Sequence, residues 1–209
     1  MTGKHSLLFG IAATAIFWIA LVVFAAIHPD YTHSHKAISE LGAFAAPNAL
    51  AWNLIGFITP GILLAICGAG IALRVDGKKT ALFWLLVISS LGFAGTGIIP
   101  AEMADGSPLM ESPWTTGHVL MTFVSGLPWL VASVLLVAHV RRDPQWQHLG
   151  RVCLILAVCA IASLSLNPVA GSPPFLADNP GLVQRIAFAI YFGWFVVVAY
   201  MLAFQDKSA

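Results

Sequence analysis

A chain of 209 residues that is 59% hydrophobic and only 9% charged has too little polar surface to cover a soluble globule, in which about a quarter of the residues are charged. A formal net charge of +1 lacks the basic excess of a nucleic-acid-binding protein, so no nucleic acid is expected as a partner. The bilayer is the solvent this composition suits.

Crossing the hydrocarbon core takes roughly 20 residues of helix, and the sequence holds six apolar runs of that order: Ser6–Ile27, Ala49–Leu73, Thr80–Ile99, Thr116–Val140, Leu149–Leu166 and Arg185–Phe204. They predict an all-α polytopic membrane protein, a six-transmembrane-helix bundle forming one integral-membrane domain over residues 1–209. The first run is longer than the ~7–15-residue apolar core of a signal peptide and reads as a retained helix. Cys67, Cys153 and Cys159 all fall inside runs with no CxxC spacing, so they read as small apolar packing residues.

After the first run comes HPDYTHSHKAISELGAFAAPN, which gathers His28, Asp30, His33, His35, Lys36 and Glu40. Ser39 and Gly42 suit a short capped turn, while Glu40 lies between the apolar Ile38 and Leu41. The second run carries Asn53 near its start and Pro60 near its middle. A mid-helix proline removes an N–H donor and predicts a kink, with the carbonyl of Gly56 losing its usual partner. Small residues, Gly10 and Thr14 on the first run and Ser89, Gly92 and Thr96 on the third, predict close helix packing. On the fourth run His118, Thr122 and Ser125 follow i, i+4, i+7 spacing toward Pro128, so they share one face, expected to look inward. The last run opens with Gln184 and Arg185, with Tyr191 about two turns deeper. An arginine there needs a counter-charge or must snorkel; Glu40, Glu102, Glu111 and Asp178 are the candidate partners.

With six helices, eight of the ten basic residues (Lys4, Arg74, Lys78, Lys79, Arg141, Arg142, Arg151 and Lys207) fall at the end that holds both termini. The positive-inside rule makes that end cytoplasmic, in a cytoplasmic (inner) membrane. The other end carries six of the nine acids, Asp30, Glu40, Glu102, Asp105, Glu111 and Asp178, together with His28, His33, His35 and His118. Its connections are also the longer ones, rich in proline and glycine, where function tends to sit.

His28, Asp30, His33 and His35 offer ligand chemistry for a divalent metal, though HxxxxHxH matches no established zinc signature; solvated loop histidines explain the cluster as well. Neither haem nor retinal is expected. The histidines nearest spanning helices, His118 and His139, belong to one run near its opposite ends, and no lysine lies within a run to form a Schiff base. No GxSxG elbow is present.

The stretch HPDYTHSHKAISELGA after a first membrane helix, Asn53 in the next, GHVLM at the head of the fourth and GLVQR opening the last together resemble the prokaryotic integral-membrane proteins grouped as domain of unknown function 998. The likeness spans nearly the whole chain. It implies a six-helix membrane domain and points to Ser39, Glu40, Leu41, Gly42, His118 and Arg185; it implies no activity. A looser likeness to alkaline ceramidase-type hydrolases lacks their HxxxH helix pattern.

These observations lead to an expected outward-facing pocket that binds or modifies a lipid-like or other amphipathic small molecule, with membrane lipids as partners. Glu40, His118 and Arg185 are the candidate catalytic residues, and Ser39, Asn53, Thr122, Ser125 and Tyr191 the candidate ligand contacts. The alternatives are a small transporter working through the Pro60 and Pro128 breaks, or an accessory structural subunit of a membrane complex.

Overall fold

The structure is a computed structural model, and it describes residues 3–104, 107–166 and 174–204. Asp105, Lys207 and much of the connection before the last helix lie outside the described residues. Among the described residues, six helices are long and apolar enough to cross a membrane: α1 (Gly3–Ile27), α2 (Ala49–Asp76), α3 (Ala81–Ile98), α4 (Pro113–Arg142), α5 (Gln147–Ser165) and α6 (Pro180–Phe204). The expected bundle is therefore present. A two-residue antiparallel pairing of Met103 with Pro108 and Ala104 with Ser107 interrupts the α3–α4 connection.

Helices are forced here by the solvent, since hydrocarbon offers no partner for a free backbone N–H or C=O. The residues that remain exposed on the helices are themselves apolar, among them Ile19, Val22, Leu120, Phe123 and Ile155. An apolar outer surface is what a lipid-facing bundle presents.

Inside, aromatic side chains of α6 reach three neighbouring helices. Phe192 stacks on Phe17 of α1 with ring centroids 4.5 Å apart, and Tyr191 stacks on Phe93 of α3 and meets Trp129 of α4 edge-on at 5.1 Å. The small residues do the packing expected of them: a Cβ on Gly92 would lie 2.6 Å from the backbone nitrogen of Ser125, so glycine is what lets α3 and α4 meet this closely.

The two prolines act differently. Ahead of Pro60, α2 widens into a π-turn over Asn53–Ile58, in which the N–H of Thr59 reaches back to the carbonyl of Leu54. One extra residue per turn relieves the crowding around a proline ring and leaves Asn53 buried on the widened side. Around Pro128 the assigned helix α4 runs unbroken.

Candidate functional site

At the acidic, histidine-rich end, the chain after α1 folds back over the bundle as a cap. Three non-glycine residues in it, Asp30, Ala45 and Asn48, have left-handed backbones, which turn the chain sharply. A 3-10 turn, Ile38–Gly42, then presses Ile38 and Leu41 into the core, where they are 0% and 1% exposed. Burial of two full aliphatic side chains, roughly 1.5–3 kcal/mol each, anchors the turn.

Arg185 clamps this cap to the start of α6. Its Nη1 donates to the carbonyls of Lys36 (3.2 Å) and Gly181 (2.7 Å), and its Nη2 to the phenol oxygen of Tyr31 (2.9 Å). Nε and Nη2 both reach Nδ1 of His33, at 3.2 and 2.9 Å. Guanidinium only donates, so His33 Nδ1 is an acceptor and its ring is neutral. Accordingly the His33 imidazole is held below its ordinary proton affinity, by burial first and by the Arg185 charge second. Tyr31 in turn donates to the carbonyl of Ala37 at 3.0 Å; burial raises its phenol pKa against the opposing pull of Arg185. The amide of Ile38 donates to the side-chain oxygen of Gln184, and that of Leu182 to the carbonyl of Ser34 at 3.0 Å. A Cβ on Gly181 would lie 2.3 Å from the Lys36 carbonyl oxygen; only a glycine lets the cap lie against α6.

The carboxylates expected to partner Arg185 do not touch it among the described residues. Its partners are two carbonyls, a phenol and an imidazole, because the cap presents its backbone rather than Glu40 to α6. Glu40 instead reaches back along its own turn, where Oε1 accepts the N–H of Ala37 at 2.7 Å, so the cap expected of Ser39 is supplied by Glu40. Ser39 sits half-buried beside it. Burial raises the Glu40 pKa, against the Ala37 N–H and the charges of Lys36, His28 and Arg185.

The other end of the turn is held by Asn53, whose Nδ2 donates to the carbonyl of Gly42 at 2.9 Å. Among the described residues its buried Oδ1 has no partner, nor has Nε1 of neighbouring Trp52. From Gly42 the cap runs on to the α3–α4 connection: the N–H of Phe44 donates to the carbonyl of Ala101 at 3.0 Å, and the Phe44 ring meets Trp114 edge-on at 5.3 Å.

His118, buried at the head of α4, directs Nδ1 at the carbonyls of Thr96 and Ile99, 3.0 and 2.9 Å away. It thereby satisfies acceptors at the end of α3 that no intrahelical donor reaches. Nε2 makes no hydrogen bond among the described residues. Of the inward stripe, His118 and Ser125 are buried, but Thr122 is exposed with its hydroxyl donating back to the His118 carbonyl at 3.1 Å. The turn spacing of 3.6 residues puts position 122 at the edge of that face rather than on it. Ser125 lies about 10 Å along α4 from His118 by helical rise, beside the buried Tyr191, whose hydroxyl is 3.1 Å from that of Ser89. Thus Ser125 and Tyr191 belong to a polar cluster within the bundle, apart from the cap.

The histidines of the metal candidate set turn to different partners. His28 Nδ1 faces the Pro29 carbonyl at 2.8 Å, His35 Nδ1 the Asp178 carbonyl at 2.9 Å, and His33 the guanidinium. No three His, Cys, Asp or Glu residues converge as a metal site among the described residues.

From residue 11 to residue 201 the chain matches the family described as Protein of unknown function (DUF998). It belongs to that family. No curated protein and no solved structure matches it. What marks this DUF998 protein at its acidic end is thus a clamped cap in which SELG and GLVQR, 146 residues apart from Ile38 to Gln184, form one unit. Tyr31, Gln184 and Gly181 complete it. Reading the sequence put Gln184 at the head of the last helix without a role; Tyr31 and Gly181 carried no signal beyond lying in the same two short segments. A cavity of about 370 Å³ lies at the opposite, basic end.

Proposed function

We propose that this DUF998 protein binds the polar part of a lipid-like or other amphipathic molecule at the rim of its cap, with Glu40 as the group that takes or gives a proton. The observation that carries this reading is the placement of Glu40: a half-buried carboxyl on a turn rooted by two core side chains, one oxygen on the Ala37 N–H. Burial raises its proton affinity while three basic groups surround it, which suits a proton-transfer group. Exposed apolar side chains of Phe44, Leu50 and Trp114 at the same end suit an acyl or other apolar tail. Arg185 and His118 act as positioning residues, holding the cap and the end of α3. The basic loops favour an inner-membrane location with both termini in the cytoplasm.

Native mass spectrometry with lipidomics on protein released from its own membrane tests the reading. A co-purifying amphipathic species, depleted in Glu40→Gln but retained in the exposed-site variant Lys78→Gln, is the expected result. Equal content in wild type and Glu40→Gln would sink it.

A transporter reading draws support from the π-turn ahead of Pro60, a place where a spanning helix can flex. Cysteines at Thr59 and Ser125 discriminate: labelling from both sides of the membrane favours transport, labelling from the cap side alone favours a binding site.

A further inference from the structure

The cavity of about 370 Å³ at the basic end is lined by Val75 and Asp76, which close α2, and by His139, Arg142, Asp143 and Pro144 at the end of α4. Two helices long enough to span the membrane end here, where the chain passes from hydrocarbon into the layer of lipid headgroups. Charged pockets between the ends of spanning helices are where headgroups are held.

Two of the lining groups are already engaged. Asp76 Oδ1 lies 3.0 Å from His139 Nε2, and its Oδ2 accepts the hydroxyl of Thr80. These form the wall between the two helix ends. Arg142 has neither a hydrogen bond nor an ion pair among the described residues, and the Asp143 carboxylate there accepts the N–H of Gln145 at 2.9 Å with no cation beside it. The neighbouring arginines are occupied elsewhere: the guanidinium of Arg74 lies over the Trp146 ring at 5.7 Å, and the stem of Arg141 packs against Gly150. The cavity therefore offers one guanidinium and one carboxylate, on consecutive residues.

Charge narrows what fits. The C-termini of α2 and α4 both meet the cavity, and their carbonyl ends carry partial negative charge, to which the carboxylates of Asp76 and Asp143 add. A simple anion is disfavoured there, and a simple cation meets the guanidinium of Arg142. A zwitterion answers both groups: a phosphodiester matches the planar fork of an arginine, and an ammonium with N–H groups donates to a carboxylate. Quaternary ammonium groups have no N–H and are held instead by aromatic cages. No Phe, Tyr or Trp lines this cavity, so the ammonium it suits is a primary one.

We propose that this cavity binds the phosphoethanolamine headgroup of a membrane lipid, with the phosphate on Arg142 and the ammonium on Asp143. The site stands apart from the cap and needs no ligand there.

Native mass spectrometry on full-length protein, stripped of lipid in mild detergent and titrated with dioleoyl phosphatidylethanolamine, phosphatidylcholine or phosphatidylglycerol, tests this. Wild type is expected to bind the ethanolamine lipid about tenfold more tightly than either of the others, the effect of one charge-assisted hydrogen bond. Asp143→Asn keeps an acceptor for the Gln145 N–H and is expected to abolish that preference while leaving the choline lipid unaffected. Arg142→Gln is expected to weaken all three, since each carries a phosphodiester. Glu40→Gln in the cap and Lys78→Gln at an exposed neighbouring cation are expected to keep the preference, so failure of the cap reading and failure of this site give different results. Glycerophosphoethanolamine, the same headgroup without acyl chains, separates a lipid from a soluble zwitterion and is expected to compete only in large excess. A wild type with no preference for the ethanolamine lipid, a preference that survives Asp143→Asn, or displacement by equimolar glycerophosphoethanolamine would each overturn the proposal. The comparison of lipids on wild type needs no variant, so a variant that fails to fold leaves the proposal open to refutation.

Discussion

Arg185 and Tyr31, 154 residues apart, are joined twice: the guanidinium donates to the phenol oxygen at 2.9 Å and lies over the ring with its carbon 5.6 Å from the centroid. One contact fixes the direction of the guanidinium and the other its plane. The remaining donors then fall on His33, Lys36 and Gly181, so one side chain of α6 organises the first half of the cap.

Replacing Arg185 should therefore loosen the cap without unfolding the bundle. A hydrogen bond to a charged group contributes about 1.5–3 kcal/mol; water replaces most of the bonds lost at this partly exposed site, so Arg185→Ala is expected to lower cap stability by about 2–3 kcal/mol, the worth of one or two of them. Arg185→Lys should rescue little, since an ammonium cannot present a planar fork. Hydrogen exchange of residues 31–42 measures both, with the amides of α3 as an unaffected control.

Glu40→Gln keeps an acceptor for the Ala37 N–H and removes the titration. Burial raises the Glu40 pKa in the folded protein, so the wild type is disfavoured where the folded state must ionise it. Relative to the glutamine variant, wild type should hold its stability below the ordinary carboxylate pKa and lose it as pH rises through the raised value. Thermal denaturation of the two proteins across that range should show curves that coincide in acid and separate toward neutral pH, the variant being the more stable.

Gly42→Ala tests the seat of the turn. A Cβ there would lie 2.0 Å from Asn53 Oδ1 and 2.8 Å from the Trp52 ring, both of them buried side chains. Overpacking of this kind costs about 1–3 kcal/mol. A fall in melting temperature, together with loss of protection at residues 38–44, is the expected outcome; a wild-type melt would refute this packing.

His118→Ala removes the donor that serves Thr96 and Ile99, leaving carbonyls at the end of α3 unpaired at a cost of about 1–3 kcal/mol. Exchange should rise at residues 99–102 and at Phe44, which bonds the Ala101 carbonyl. His118→Gln, which restores one donor, should lie between the two.

The spans were legible because membrane insertion is a local rule: a run of apolar residues must close its own backbone hydrogen bonds, wherever it sits in the fold. The predicted start of the last helix, Arg185, fell short of Pro180 because hydropathy marks the apolar stretch and not the turn of helix that leads into it. Spacing alone puts His118, Thr122 and Ser125 on one inward face of α4; the structure buries His118 and Ser125 and leaves Thr122 exposed at its edge. From sequence Glu40 reads as an acid between apolar neighbours; its anchor is three residues away in its own turn, not on α6.

Six spans long and apolar enough to cross a membrane, the division of charge between two ends, and the placing of SELG and GLVQR at the same end can all be read along the chain. Each follows from composition and local backbone chemistry. Which of those groups meet is set by how the bundle packs. Arg185 could have met any of four acids, and packing of the cap's backbone against Gly181 gave it neutral acceptors instead. Asp76 closes α2 and His139 lies in the last turns of α4, and the closeness of the two helix ends brings their side chains within 3.0 Å. Hydropathy acts residue by residue, whereas a hydrogen-bond partner is chosen by which backbone arrives within 3 Å, and that depends on the whole bundle.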